Sequence, residues 1–244
     1  KIKKETQILV ILGNPPYSVS SLNKSEFIEK EMDLYKEDVR NERNIQPLSD
    51  DYIKFIRFAH WKIEQNGSGV IGIITNNSYL SGLIHRGMRK KLLESFNKIY
   101  ILNLHGNARI GERCPDGSKD ENVFDIMQGV SIALFIKNDK KEGLGKVFYH
   151  DFWGLRDKKY NLLLKNDIKT TKWYELKIGE FEKKFSKTLW AKKYEEGLYF
   201  FTPKDSQNLI IYGSFLGVDE IFKQYNTGIA TGKDKVLVNF DKQS

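Results

Sequence analysis

Residues 14–17 read Asn-Pro-Pro-Tyr and directly follow an apolar run, Ile8-Leu9-Val10-Ile11-Leu12-Gly13. Two consecutive prolines remove two backbone donors and fix φ, so the chain can neither continue as a strand nor enter a helix there. The expected result is a rigid corner at the end of a buried strand. It presents an amide side chain (Asn14), an uncommitted carbonyl (Pro15) and an aromatic face (Tyr17) to one small volume. Acceptors beside a stacking plane suit a planar amine, such as the exocyclic N6 of adenine.

Other candidate motifs carry less chemistry. Gly67-Ser68-Gly69-Val70-Ile71-Gly72 fits G-x-G-x-x-G, but a dinucleotide fingerprint must follow a strand and open a helix. Here the glycines close a predicted helix and lead into a strand, so a tight connection is expected. Gly228 to Lys233 approximates a phosphate loop one residue too short, with Asp234 where Ser or Thr would hold magnesium. The Asp50-Asp51 pair reads as a helix cap rather than an acid/base couple. A single cysteine, Cys114, excludes an internal disulfide and points to a reducing compartment, with a loop position as its expected role. The four histidines, His60, His85, His105 and His150, lack ligand spacing and read as surface or packing residues, so no metal site is expected.

These residues must be held by a folded scaffold, and composition allows one. A chain of 244 residues, 40% apolar and 13% aromatic, has material for a real core in one large domain or two small ones. The net charge of +8 favours a polyanionic partner. Charge alone does not separate nucleic acid, an anionic membrane surface and a generally basic soluble protein. The run Ile8 to Leu12 is too short for a signal-peptide core, and Val130 to Ile136 is too short to cross a bilayer. A soluble, cytoplasmic protein without a membrane partner is expected.

The elements follow in order. Lys24 to Asn44 has a partial helical period and reads either as a flap beside the corner or as a solvated helix. Ser49 to Gln65 is a stronger helix, capped by Ser49 or Asp50 and closed by Asn66-Gly67. Val70 to Ile74 is a continuous buried strand leading to a polar loop, Thr75 to Ser78. A helix is expected from about Tyr79 to Phe96, then a strand over Ile99 to Leu104. Strand, helix, strand, helix, strand marks a parallel α/β sheet, whose ligands sit beyond the carboxyl ends of the strands. Asn14 to Tyr17, Thr75 to Ser78 and His105 to Asn107 then share one rim. A loop over 106–121 precedes an expected hairpin of Val123-Phe124 and Gly129 to Lys137. Asn138 to Gly145 reads as a boundary. Val147 to Trp153 continues as strand, Leu155 to Leu164 as a short helix, and Tyr225 to Lys235 as a glycine-rich turn.

Asn-Pro-Pro-Tyr after a strand resembles the catalytic motif of S-adenosylmethionine-dependent amino-methyltransferases, foremost the adenine-N6 DNA enzymes. Longer strings are similar to large single-polypeptide restriction–modification enzymes of the type ISP and IIG kind. They are Gly72 to Leu80, Asn103 to Asn107, Glu121 to Ile126 with Gly129 to Ile132, Asp151 to Arg156, and Gly228 to Asp234.

The resemblance implies that Asn14 and Pro15 hold the target amine, that Pro16 stiffens the corner, and that Tyr17 stacks on a base flipped from duplex DNA. Phe124 matches a second stacking aromatic, or is simply core. It implies a Rossmann-like methyltransferase sheet over 1–138, its C-terminal half, then an α+β extension over 139–224 and the start of a target-recognition domain at 225–244. The family's glycine-rich cofactor loop and its acidic ribose ligand do not occur before Asn14, so the cofactor residues are expected upstream of Lys1. This chain then reads as part of a longer polypeptide carrying a nuclease or helicase upstream and a recognition domain downstream. Alternatives are a non-catalytic DNA-binding fragment and a protein-glutamine or RNA amine methyltransferase. Lysines and arginines over 86–91, 158–159 and 183–193 read either as phosphate contacts or as solvated faces.

Overall fold

In a computed structural model of the chain, residues 7–18, 21–179 and 197–204 are described, together with Phe215 and Ile221. The strands are β1 (Val10–Gly13), β2 (Gly69–Asn76), β3 (Lys98–His105), β4 (Val130–Lys137), β5 (Lys146–Asp151) and β6 (Tyr174–Leu176). The helices are α1 (Glu26–Lys36), α2 (Asp51–Asn66), α3 (Arg86–Ser95) and α4 (Arg156–Lys165). The expected α/β sheet is present, with strand order β1-β2-β4-β3-β5-β6. β1 and β2 are parallel, as are β3 and β5, while β4 runs antiparallel between β2 and β3. β1, β2, β3 and β5 therefore all point the same way, and their carboxyl ends form a common rim.

Several expectations need correction. Among the described residues β1 lies at the edge of the sheet rather than buried within it: Leu12 is 76% exposed and Val10 59%. An apolar run marks a strand but cannot say how many neighbours flank it. The helix expected from Tyr79 is broken into two single 3₁₀ turns, Asn77–Leu80 and Leu83–His85, before α3 begins at Arg86. Asn76 ends β2 and caps the first turn, its side chain accepting the Ser78 N–H at 2.9 Å. Gly82 then lets the chain pass against His85, whose Nδ1 would lie 2.4 Å from a Cβ there. Thr75 and Asn76 thus belong to β2 rather than to a loop. Val123 and Phe124 are not a strand, so β4 has no hairpin partner there. It lies instead between the two parallel strands.

The charged segment after Ser25 is neither flap nor solvated helix. Ser25 caps α1, and Ile28, Met32 and Tyr35 are buried against α2 and α3. α2 starts where the acidic pair predicted, with Asp50 as the cap, and ends at Gly67 with φ +83°. The G-x-G-x-x-G string is a helix-to-strand connection, as expected. The connection 138–145 lies within one sheet, because β5 beyond it pairs with β3. Residues 1–205 form one compact unit and 206–244 a second. The Gly228 to Asp234 string and the basic run 183–193 fall outside the described residues.

Two apolar clusters hold the sheet. The larger joins α1, α2 and α3 to one face through residues such as Tyr52, Ile56, Leu92, Ile101 and Phe135. The smaller joins Leu104, Val123, Val130 and Phe152, with Leu162 and Leu163 of α4 packed on it. Among the described residues no helix is long and apolar enough to cross a membrane.

Candidate active site at the strand rim

The Asn-Pro-Pro-Tyr corner leaves the carboxyl end of β1 as its composition requires. Asn14 and Pro16 are exposed, Pro15 is buried and Tyr17 is half-buried. Neither the Asn14 side-chain amide nor the Pro15 carbonyl has a hydrogen-bond partner among the described residues. The corner therefore offers an amide and a carbonyl that the fold itself does not consume. Beneath it, Tyr17 meets Tyr52 edge-on, with ring centroids 6.0 Å apart, and Tyr52 meets Tyr79 at 6.2 Å. Burial, and next the nearby Asp50 carboxylate, push the Tyr17 phenol up to about 12. Tyr17 is thus a neutral aromatic surface at physiological pH, not a phenolate base.

The corner is anchored on its far side by the start of α2. Asp50 accepts the backbone N–H groups of both Ser18 (2.8 Å) and Tyr52 (3.4 Å), and Ser18 accepts the N–H of Asp51 at 3.1 Å. A helix cap and a loop clamp are the same carboxylate.

Asn77, next along the rim, bridges three strand ends. Its backbone N–H donates to Gly129 at 2.9 Å ahead of β4, and its side-chain amide donates to Asn103 of β3 at 3.0 Å. A Cβ on Gly129 would lie 2.6 Å from that amide, so a larger residue there would displace the Asn77 side chain. Asn103 in turn donates to the Tyr149 hydroxyl of β5 at 3.2 Å.

His105 ends β3 with φ +52°, a conformation that side-chain-bearing residues adopt rarely. Its Nδ1 lies 2.9 Å from Glu112 and its Nε2 3.5 Å from Asp151, and its ring stacks on Trp153 at 3.3 Å. Burial alone would lower its pKa, but the nearby carboxylates of Asp151 and Glu112 together outweigh burial and raise it. Glu112 also accepts the Asn107 N–H at 2.8 Å, so this group fixes the loop that leaves the rim. The sequence puts His105 on the rim as a surface or packing histidine, with no sign of this charged group. Its partners stand seven and forty-six positions away along the chain, with no period to announce them.

Phe124 is half-buried and packs on the smaller cluster. It borders a hollow of about 670 Å³ together with Gly106, Asn122, Ile126, Met127 and Arg156. Arg156 shapes that hollow by donating to the carbonyls of Asn122 (2.8 Å) and Phe124 (3.1 Å). Tyr17 belongs to the larger cluster, and the structure does not bring the two rings into contact.

Much of the basic character near the rim is structural. Arg89 is fully buried and donates to the carbonyls of Tyr79 (2.6 Å) and Gly82 (2.8 Å). Arg86 donates to the Asp38 carbonyl at 2.9 Å and pairs with Glu42 at 3.0 Å. Lys159 is fully buried against Asp120 at 2.7 Å. These cations face the interior rather than phosphate or solvent, against both expectations for the runs they belong to. Cys114 lies in a loop as expected, although it is buried.

The G-x-G-x-x-G string supplies no cradle for S-adenosylmethionine at the rim: Gly67 and Gly69 lie at the opposite end of β2, and Gly72 lies mid-strand.

Residues 1–110 match the family described as Eco57I restriction-modification methylase. Among solved structures, the chain is similar to the ATP-dependent Type ISP restriction-modification enzyme LlaBIII bound to DNA. That match has 33% identity and a TM-score of 0.63, covering 72% of this chain and 12% of LlaBIII. A nuclease-deletion mutant of the Type ISP enzyme LlaGI, in complex with a DNA substrate mimic, matches at 29% identity and a TM-score of 0.63. It covers 72% of this chain and 18% of that one. A DrdV–DNA complex shares the fold at 22% identity and a TM-score of 0.61, covering 71% of this chain and 18% of that one. The chain thus spans less than a fifth of these solved relatives. No curated protein matches it significantly.

Proposed function

We propose, from the premise that residues 1–110 of this chain belong to the Eco57I restriction-modification methylase family, that the rim is the amine-binding side of a DNA adenine-N6 methyltransferase site. The observation that carries the reading is the corner itself. An exposed Asn14 amide and an unshared Pro15 carbonyl stand at the carboxyl end of a parallel strand, braced from below by neutral Tyr17.

The exocyclic amine of adenine is a poor nucleophile, because its lone pair is delocalised into the ring. Two acceptors, the Asn14 side-chain oxygen and the Pro15 carbonyl, would each take one N–H. That arrangement localises the lone pair and fixes its direction. Orientation and electrostatics then do the work, without a covalent enzyme intermediate. The base must leave the duplex at a cost of a few kcal/mol. Stacking on Tyr17, worth about 1–3 kcal/mol, offsets much of that. Phe124, on the hollow further along the rim, would serve as a second aromatic surface if loop 106–128 approaches the corner when DNA binds.

S-adenosylmethionine is proposed as methyl donor on family grounds, held by residues other than those described. Duplex DNA is proposed as partner because the LlaBIII and LlaGI structures contain DNA or its mimic. The net charge of +8 supports that choice.

The test is product analysis by nucleoside mass spectrometry after incubating the enzyme that carries this chain with duplex DNA and labelled S-adenosylmethionine. Label in N6-methyladenine is expected. Label in cytosine alone, or in glutamine of a protein substrate, would overturn the reading.

A further inference from the structure

Residues 198–201 lie as a strap against the two 3₁₀ turns that follow β2, with Leu198 and Phe201 buried. In a continuous helix the carbonyls of Tyr79 and Leu80 would accept N–H groups four residues further on, so breaking the helix there frees them. Donors from elsewhere take both. Arg89 of α3, fully buried, donates from Nη1 to Tyr79 at 2.6 Å, and the backbone N–H of Phe201 donates to Leu80 at 2.9 Å. The same guanidinium grips the strap, its Nε donating to the carbonyls of Leu198 (3.1 Å) and Tyr199 (2.9 Å). A planar fork with donors in fixed directions can pin two backbone segments against each other, whereas a compact ammonium cannot.

What this turn carries is the floor of the corner. The Tyr79 ring lies 6.2 Å from that of Tyr52, which in turn lies 6.0 Å from that of Tyr17. Asn77, in the same turn, reaches across to Asn103 of β3. We propose that Arg89 and the 198–201 strap are positioning elements of the amine site, fixing the Asn77–Leu80 turn and, through Tyr79 and Tyr52, the seat of Tyr17 beneath a bound base. The proposal rests on the methylation reading. It makes the site depend on a segment 109 positions along the chain from Arg89, within the stretch 139–224 that the sequence assigns to an extension beyond the methyltransferase sheet.

Two measurements on the enzyme that carries this chain test it. Amide hydrogen exchange of the wild type judges the clamp without any substitution. Gly82, bonded to Ser78 at 2.9 Å, and Phe201 should be protected to within about tenfold of each other, because one opening frees both. Phe201 exchanging about a hundredfold faster than Gly82 would overturn the clamp. The second measurement is single-turnover methylation of duplex DNA. Arg89→Lys keeps the charge and loses the fork, so the rate should fall about tenfold to a hundredfold with DNA affinity unchanged. Met32→Ala, a cavity in α1 away from the rim, is the destabilised control and should stay near the wild-type rate. In Arg89→Ala, added ethylguanidinium should restore much of the rate and ethylammonium should not. Phe201→Leu, milder and on the strap side, repeats the comparison if the Arg89 variants do not fold. An unchanged rate, a fall matched by Met32→Ala, or equal rescue by the two cations would overturn the positioning role. A wild type that forms no N6-methyladenine would overturn the methylation reading and this role with it, while hydrogen exchange still decides the clamp.

Discussion

The carboxylate of Asp50 accepts the backbone N–H of Ser18 at 2.8 Å, so the first residue of the chain beyond the Asn14–Tyr17 corner hangs from the cap of α2. The same carboxylate caps α2 through Tyr52, whose ring supports Tyr17. One side chain thus sets both the direction in which the corner leaves the sheet and the aromatic floor beneath it.

Asp50→Ala should remove both bonds. The stability loss expected is about 1–2 kcal/mol, read as a shift in the urea midpoint. Under the proposed function, methylation should fall further than that loss explains, while Asp50→Asn, which keeps an acceptor oxygen, should recover most of both. Equal effects of the two variants on methylation would remove Asp50 from the positioning of the corner.

Lys159 and Asp120 form an ion pair with both side chains fully buried, and Lys159 also donates to the carbonyls of Leu104 (2.7 Å) and Glu121 (2.6 Å). Lys159→Met strands a buried carboxylate and should cost about 3–5 kcal/mol. Adding Asp120→Leu should restore part of that loss. Urea denaturation of the two variants checks this, and a double variant no more stable than the single one would contradict the coupling.

Stability should fall on both sides of neutrality for different histidines. Burial, and next Arg89, push His85 down to about 3 from an ordinary 6.5. Its contribution is present above pH 6.5 and is lost as pH falls from 6.5 toward 3, because the unfolded chain binds the proton more readily. His105 is raised, so its contribution is complete below 6.5 and is lost as pH rises through its folded value. Each slope is at most about 1.4 kcal/mol per pH unit. His105→Gln should flatten the alkaline side of a melting-temperature profile, and His85→Phe the acid side. The reverse assignment would contradict the geometry of both.

Gly106 follows His105 with φ +81°, and a Cβ there would lie 2.4 Å from the Asn122 Cα. Gly106→Ala should therefore displace the segment carrying Phe124 and cost about 1–3 kcal/mol. Amide hydrogen exchange should rise over 106–128 and stay unchanged in α2. Uniform exchange across both would show a global effect instead.

The corner was legible because two prolines and a preceding apolar run leave few conformations open. α2 and β3 were legible for the same kind of reason, with Asp50, Gly67 and strong periodicity marking them. What the chain did not announce is pairing between distant segments. Nothing local in Val130 to Lys137 says that it lies between β2 and β3, and nothing in Val10 to Gly13 says that, among the described residues, one flank lacks a strand. The charged stretch from Glu26 to Lys36 reads as a flap or a solvated helix, because its pattern does not show that Ile28, Met32 and Tyr35 pack into the core. Arg89 looks like a surface cation because its acceptors are backbone carbonyls, which sequence does not display, and Lys159 because its carboxylate partner, Asp120, stands far away along the chain. The Asn77–Asn103 and His105–Asp151 contacts join side chains far apart along the chain, and no local pattern announces such pairs.

The most direct test concerns Asn14. In the enzyme that carries this chain, the rate of N6-methyladenine formation in duplex DNA is compared between the wild type and Asn14→Ala, alongside DNA affinity by fluorescence anisotropy. A proline-stiffened grip on the amine predicts methylation lost by about a thousandfold or more with affinity nearly unchanged. Methylation surviving the substitution, or affinity collapsing with it, would contradict that role.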